Sequence, residues 1–316
     1  MHRTALLMLI AIAPAALTFF IPSDLCAEVA PAEGLAAKHP PAAGETVLSV
    51  YLSRQHAIVI IKIGDNAPVP VLFDTGTTDE ILDTSYAARL GLPRTGDSHV
   101  VDGASGKPVP GYSSVLPRLT IGRAVRSNVP VQVTAFSHPD VVGVFGPYMF
   151  SGDLVTLELG CGRIRVLDKE SGRIPATPSE PYLGPPSDAL PAARISIAGV
   201  EVSAHLDSGN NAAVTLPLAM AARIPLQAKP QKTATAQSAS GEQDVWSARL
   251  KGRIRVGPLV LENPSIDFVA GASDANIGLP ILRQLIITLD PAERRSWITG
   301  LVPKQSPMGL ATCGGG

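Results

Sequence analysis

Short apolar runs separated by turn residues recur along most of the chain, starting at Thr46. The runs are rich in Val and Ile and are bounded by Gly, Pro, Asn or Asp, a pattern typical of β-strands. They predict strands at Val47–Leu52, His56–Ile63, Val69–Phe73 and Ala193–Ile197. Two further stretches, Thr84–Leu90 and Leu216–Arg223, contain the helix-forming sequence Ala-Ala-Arg and predict short helices. The pattern as a whole predicts an all-β fold.

Three segments interrupt this pattern. Residues 28–45 are rich in Ala, Pro and Gly and predict a flexible spacer, with a short pro-segment as the alternative. Residues 169–190 contain five prolines and predict a linker. Residues 304–316 end in three glycines and predict a loose tail. These breaks divide the chain into an N-terminal lobe at 46–168 and a C-terminal lobe at 191–303.

The two sides of the Pro-rich linker carry the same motifs in the same order. LFDTGTT around Asp74 matches HLDSGNN around Asp207, and five later motifs match at offsets between 132 and 135 residues. The later pairs begin at Ala87 and Ala221, Ala104 and Ala239, Leu119 and Ile254, Phe145 and Ile277, and Thr156 and Thr288. The sequence therefore predicts an internal repeat of two similar units related by a pseudo-twofold axis.

Each copy has one aspartate at the matched position, directly after an apolar run and directly before Thr-Gly or Ser-Gly. If the copies pack about a twofold axis, Asp74 and Asp207 meet at that axis. Two carboxylates in contact cannot both ionise cheaply, so they share one proton and titrate in two steps. Such a pair can act as a general acid and base on a bridging water. This chemistry requires no metal and no cofactor.

The duplicated turn resembles the catalytic element of the pepsin- and retropepsin-type aspartic peptidases. The resemblance extends over about 46–168 and 190–300, and the short lobes are most similar to bacterial retropepsin-like proteins. It implies a two-lobed all-β aspartic peptidase fold with Asp74 and Asp207 as the catalytic dyad. Because both lobes lie in one chain, a monomer is sufficient for the dyad.

The same resemblance gives roles to the neighbours of the two aspartates. The residues that would support the active-site turns are Thr75, Gly76, Thr77, Ser208, Gly209 and Asn210. Thr75 and Ser208 would clasp the turns, and Thr77 would bond the first carboxylate. Asn210 stands where the family usually has Ser or Thr, and its amide could donate the corresponding bond. Whether this change retunes or abolishes activity is open at the sequence level.

Two hairpin tips in the repeat resemble the flaps that cover the substrate in this family. The tips are marked by Ser105 and Gly106 in the first copy and by Ser240 and Gly241 in the second. An extended polypeptide would lie beneath them. The function predicted from the sequence is an aspartic endopeptidase. The alternative is a catalytically inactive peptide-binding module on the same fold.

Composition and charge exclude some other classes. The chain has 26 Lys and Arg against 27 Asp and Glu, a net charge of −1, so there is no basic excess for nucleic acid. Aromatic residues make up only 4%, too few for a base-stacking platform. Gly and Pro number 29 each, which argues against a helical bundle. The six histidines show no metal-ligand spacing.

The N-terminus predicts export from the cytoplasm. Arg3 precedes an uncharged, largely apolar run at Thr4–Ser23, so residues 1–27 are predicted as a signal peptide or a membrane anchor. The protein would be periplasmic or secreted, with tethering to the inner membrane as the variant in which the segment is retained. Cys161 and Cys313 could pair in an oxidising compartment, although the sequence favours two unpaired thiols.

Overall fold

The computed structural model describes residues 4–7, 11–12, 44–53, 55–103, 106–135, 138, 140–170, 174–186, 188–238 and 241–302. The strands before residue 170 are β1 (Thr4–Leu7), β2 (Ala11–Ile12), β3 (Glu45–Ser49), β4 (Tyr51–Leu52), β5 (Ala57–Ile63), β6 (Val69–Phe73), β7 (Ile81–Asp83), β8 (Gly96–Asp102), β9 (Pro108–Ile121), β10 (Ala124–Thr134), β11 (Gly143–Phe145), β12 (Asp153–Glu158) and β13 (Arg163–Asp168).

The strands after residue 170 are β14 (Glu180–Pro181), β15 (Ala192–Ile197), β16 (Val200–Asp207), β17 (Val214–Pro217), β18 (Gln231–Ser238), β19 (Gly241–Arg249), β20 (Arg253–Val256), β21 (Leu259–Glu262), β22 (Ser265–Val269), β23 (Ala275–Gly278), β24 (Leu285–Asp290) and β25 (Arg295–Leu301). The short helices are α1 (Thr84–Arg89) and α2 (Leu279–Leu282). The predicted all-β fold is confirmed.

Each lobe is built on one large sheet. In the described part of the chain the first sheet has the order β1-β8-β9-β10-β7-β11-β6-β5-β4. The second has the order β2-β18-β19-β22-β17-β23-β16-β15-β20-β21. In both sheets the strand that leads into the Asp turn pairs in parallel with a short central strand, β6 with β11 and β16 with β23. Both aspartates therefore lie at the carboxyl end of a buried central strand.

A third sheet, of order β14-β25-β24-β12-β13-β3, contains strands from both lobes. At its centre β12 pairs antiparallel with β24, and Thr156 lies opposite Thr288. Their hydroxyl oxygens are 3.0 Å apart. These are equivalent residues of the two sequence copies, and equivalent residues face each other only where a twofold axis passes between them. The predicted internal repeat is therefore present as a pseudo-twofold.

Alternating burial places the apolar faces of the strands in a core that extends through both lobes. In β5, for example, Ala57, Val59, Ile61 and Ile63 are buried, while the residues between them are partly or fully exposed. The helix α1 begins where Asp83 accepts hydrogen bonds from the backbone N–H groups of Ser85 and Tyr86, which caps its first turn.

One predicted helix is wrong in its first part. The segment predicted as helix at Leu216–Arg223 begins as strand β17, and only Leu218–Ala222 form a 3₁₀ turn. Leu216 precedes Pro217, which disfavours helical backbone at Leu216. The strand is also held between β22 and β23 in the centre of the sheet. Strand pairing therefore determines the structure of Leu216 and Pro217, and the Ala-Ala-Arg sequence lies at the end of the 3₁₀ turn that follows.

The Pro-rich linker contains ordered structure. Glu180 and Pro181 pair with β25, and the Tyr182 side chain is buried. The division into lobes at 46–168 and 191–303 stays a prediction. Most of the predicted leader (1–27), spacer (28–45) and tail (304–316) lies outside the described residues. Among the described residues, no helix is long and apolar enough to span a membrane.

The expectation of unpaired thiols is wrong for Cys161. Its sulfur is disulfide-bonded, and the partner cysteine lies outside the described residues. Cys161 closes the 3₁₀ turn Leu159–Cys161 between β12 and β13.

The contact on the axis can be tested by a double-mutant cycle. We expect Thr156→Val and Thr288→Val each to lower the free energy of unfolding by about 1 kcal/mol, because each leaves the other hydroxyl without its partner. The double variant should lose less than the sum of the two. Urea unfolding measures all four proteins, and strict additivity would show that the hydroxyls do not interact.

Candidate active site

The two Asp-turns meet between the lobes. Asp74 follows β6 directly and its N–H donates to the carbonyl of Phe145 in β11 (2.9 Å), while Asp207 is the last residue of β16. Both side chains are 0% exposed. The Gly209 N–H lies 3.1 Å from Asp74 Oδ1 and 2.9 Å from Asp207 Oδ1. A single backbone donor therefore reaches both carboxyls.

Thr75 and Ser208 join the two turns by reciprocal hydrogen bonds. The Thr75 N–H donates to Ser208 Oγ (3.0 Å), and the Ser208 N–H donates to Thr75 Oγ1 (2.9 Å). The Thr75 hydroxyl donates to the carbonyl of Leu206 (2.5 Å), and the Ser208 hydroxyl donates to that of Phe73 (2.8 Å). Each hydroxyl therefore bridges to the strand of the opposite lobe, which fixes the separation of the two aspartates.

Gly76 and Gly209 are required by close approach. Each glycine lies against the carboxyl of the opposite lobe. A methyl group on Gly76 would be 2.7 Å from Asp207 Oδ1, and one on Gly209 would be 2.6 Å from Asp74 Cγ. Neither distance is compatible with a side chain. The Gly76 N–H also donates to Asp74 Oδ1 (2.7 Å).

The next residue of each turn does not act as the resemblance implies. The Thr77 hydroxyl donates to the carbonyl of Asp79 (2.8 Å) rather than to Asp74, so its expected role is wrong. The Asn210 amide does not reach Asp207 either, although its backbone N–H does (3.1 Å to Oδ1). The side-chain donor to Asp207 Oδ2 is Asn276, at 2.7 Å. In both turns local geometry turns the side chain away from the nearby carboxyl.

Asn276 was missed because it is distant in sequence from both turns. It lies in β23, two residues before Gly278, and the first copy has Val144 at this position. A polar residue that interrupts an otherwise apolar repeat position was the available signal. Its significance depended on the pairing of β23 with β16, which the sequence alone does not give.

The electrostatics of the pair follow from its burial. Burial raises the pKa of Asp74 to about 6, against the N–H donors of Gly76 and Gly209 and the hydrogen bond with Asp207. Burial also raises the pKa of Asp207 well above its ordinary range, and the charge of Asp74 adds to this, while the Asn276 amide opposes it. The two carboxyls therefore ionise in two separate steps, and between these steps they hold one proton between them.

The two flap-like hairpins, β8–β9 and β18–β19, touch each other. The Ser238 hydroxyl donates to Asp102 Oδ2 (2.6 Å), and both residues are buried. Of the predicted tip residues, Gly106 and Gly241 are described, and both have positive φ, which suits glycine at a hairpin tip. Ser105 and Ser240 lie outside the described residues.

Glu80, six residues after Asp74, is a further buried carboxyl. Its side chain is 9% exposed, and its Oε1 has no hydrogen-bond partner among the described residues. Burial raises its pKa to about 8, and the charge of Asp79 adds to this, while its own backbone N–H acts in the opposite direction. Glu80 is not part of a metal site: among the described residues, no group of three or more His, Cys, Asp or Glu side chains could hold a metal ion.

Comparison with known families agrees with this architecture. A family model described as aspartyl protease matches residues 59–149 and 193–282, one match in each lobe. Each match contains one Asp-turn, and together they cover more than half of the chain. The chain therefore belongs to the aspartyl protease family, as a two-lobed, retropepsin-like member. Comparison with individual curated proteins gave no match.

The reciprocal hydrogen bonds between Thr75 and Ser208 give a stability prediction. Thr75→Val keeps the shape of the side chain but leaves the Leu206 carbonyl and the Ser208 N–H unpaired and buried. We expect it to lower the free energy of unfolding by roughly 2–5 kcal/mol. Thr75→Ser retains the hydroxyl and is the matched control. Chemical denaturation compares the two, and equal losses would contradict a role for the hydroxyl.

Glu80 gives a prediction on pH and stability. The folded protein keeps the Glu80 proton up to about pH 8, whereas the unfolded chain releases it near 4.5. The unfolded state therefore binds fewer protons in this window, and stability falls as pH rises, by up to about 1.4 kcal/mol per pH unit. Glu80→Gln should flatten this slope and stabilise the protein at pH 7.5. The exposed Glu201→Gln is the control, and parallel slopes would refute the assignment.

Proposed function

We propose that this protein is an aspartic endopeptidase that hydrolyses peptide bonds in extended polypeptides. The observation that carries the proposal is the position of Asp74 and Asp207, which are buried, symmetric and bridged by one Gly209 N–H. Burial of two adjacent carboxyls is costly for stability. An acid–base role explains why both copies keep the aspartate.

In the proposed mechanism the pair acts on a water held between the carboxyls. Between the two ionisation steps Asp74 is the ionised member and Asp207 holds the proton, because the charge of Asp74 adds to burial in raising the pKa of Asp207. Asp74 removes a proton from the water as the water oxygen attacks the peptide carbonyl carbon. Asp207 stabilises the developing oxyanion by hydrogen bonding. The proton taken by Asp74 then passes to the leaving amine as the C–N bond breaks, which restores the starting charges.

The substrate in this proposal is an extended polypeptide. Flap hairpins offer backbone N–H and C=O groups to a strand-like ligand, and neighbouring pockets accept its side chains. Both aspartates come from one chain, so a monomer suffices. A periplasmic or secreted site of action, with or without a membrane tether, is supported by the apolar run at Thr4–Ser23 and by the disulfide at Cys161.

The second candidate is a peptide-binding module without catalysis. It is favoured by Thr77 and Asn210, since neither side chain donates to a catalytic carboxyl as the family pattern implies. Such a module would keep the cleft and the flaps and would bind peptides without cutting them. It predicts a similar affinity for peptides but no products.

Peptide cleavage separates the two candidates. We expect the full-length protein to cleave a mixed peptide library, with a rate that rises as pH increases through about 6, where Asp74 ionises. Asp74→Asn and Asp207→Asn should each lower the rate by roughly 10²–10⁴-fold, because each removes one acid–base group. Mass spectrometry identifies the products and the cleavage sites.

The control is Glu262→Gln, which changes an exposed carboxyl in the edge strand β21 that is paired with Arg253. It should leave the rate unchanged. Binding of an uncleavable statine peptide is measured in parallel. A parent protein that binds this peptide but yields no products at any pH would replace the peptidase with the binding module.

A further inference from the structure

Three positions behind the catalytic turn are apolar in the first lobe. Val144 in β11 lies opposite Leu72 in β6 and opposite Ile81 in β7. All three side chains are buried and belong to one small apolar cluster. Residues that face each other across strands have their side chains on the same face of the sheet. At these three positions, this face of the sheet in the first lobe is therefore packed with apolar side chains only.

The same three positions are polar in the second lobe. Asn276 in β23 lies opposite His205 in β16 and opposite Thr215 in β17. Their exposed fractions are 1%, 6% and 2%. Buried polar side chains in place of apolar ones lower stability unless hydrogen bonds compensate. The difference between the copies therefore has to be explained by the contacts that these side chains make.

The contacts form a chain that ends at Asp207. The Asn210 amide nitrogen donates to Asn276 Oδ1 (2.8 Å) and to Thr215 Oγ1 (3.2 Å). The Asn276 amide nitrogen donates to Asp207 Oδ2 (2.7 Å). The Ala212 N–H donates to Asn210 Oδ1 (2.9 Å). All the amide groups in this chain are buried.

The orientation of both amides is determined by this network. The Ala212 N–H can only donate, so it must face the oxygen of Asn210. The nitrogen of Asn210 then faces Asn276, which must present its oxygen. The Asn276 nitrogen is therefore directed at Asp207, and reversing either amide would bring like groups together.

We propose that Asn276 is a positioning residue for the catalytic pair, which holds Asp207 Oδ2 as a hydrogen-bond acceptor, and that Asn210 orients it. This inference rests on the proposed function. We call Asn210 and Asn276 the two-amide relay. The relay gives Asp207 the hydrogen-bond donor that a Ser or Thr hydroxyl at position 210 would give it in the usual family pattern. Unlike a hydroxyl, an oriented amide N–H cannot rotate to become an acceptor.

The relay has an electrostatic consequence. Donation to the charged form of Asp207 opposes the rise of its pKa on burial. Other titratable groups also face this region. Asp74 lies across the axis and raises the pKa of Asp207. His205 has a pKa lowered by burial and is neutral near pH 7, and Asp274 lies 3.9 Å from its Nε2. Asn276 is therefore the side chain that favours ionisation of Asp207.

The decisive variant is Asn276→Leu, which keeps a similar shape and removes the donor. ¹³C NMR of the aspartate carboxyls in the full-length protein measures the two apparent pKa values of the pair. Their sum is independent of how the proton is divided between the residues. We expect the sum to rise by about one unit or more, a tenfold change in the ionisation constant. The kcat should fall while KM is unchanged, because Asp207 Oδ2 is no longer held in position by Asn276.

Two further variants separate the relay from general packing. Thr215→Val alters the same buried cluster without touching Asp207 and should leave the sum unchanged. Asn210→Ala removes the group that orients Asn276, without adding a hydroxyl, and should shift the sum in the same direction by a smaller amount. If Asn276→Leu does not fold, Asn210→Ala decides the question. An unchanged sum in a folded Asn276→Leu, or in that case in Asn210→Ala, overturns the relay.

The titration also separates this inference from the proposed function. A shifted sum in a protein that cleaves no peptide supports the relay and refutes the peptidase. Cleavage by the parent with an unshifted sum refutes the relay and supports the peptidase.

Discussion

The crossing of the two Asp-turns at the pseudo-twofold axis is the constraint on which the site depends. Thr75 and Ser208 each use a backbone N–H and a hydroxyl to bridge to the other lobe. These bonds are buried and reciprocal, so neither turn can move without breaking bonds to the other. Gly76 and Gly209 can then approach the opposite carboxyls, because no side chain intervenes. The separation of the aspartates is fixed by this contact between lobes.

The crossing of the turns leaves two acidic side chains buried, where water does not solvate them. Desolvation is the main cause of the raised pKa values of Asp74 and Asp207, and backbone N–H donors reduce the effect without cancelling it. The pair therefore retains a proton at a pH where exposed carboxyls are fully ionised. The burial that is unfavourable for folding is therefore also what makes the two carboxyls ionise in separate steps.

The two sequence copies make symmetric contacts on the pseudo-twofold axis, but the residues directly behind their Asp-turns differ. Thr156 and Thr288 face each other on the axis, as do the two turns. Behind the turns, Val144 packs in an apolar cluster, whereas its counterpart Asn276 donates a hydrogen bond to the Asp207 carboxyl. A duplicated fold can keep the contacts that bring the two aspartates together and still give each aspartate different surroundings.

The repeat, the strand-rich pattern and the identity of the paired aspartates could all be inferred from the sequence, because each depends on local residue patterns. The sequence did not reveal that Leu216 belongs to a central strand, that Cys161 is disulfide-bonded, or that the Thr77 hydroxyl donates to the Asp79 carbonyl. It also missed Asn276, which is 69 residues from Asp207. These features depend on which strands become neighbours and on how buried polar groups find partners, and only the tertiary structure decides that.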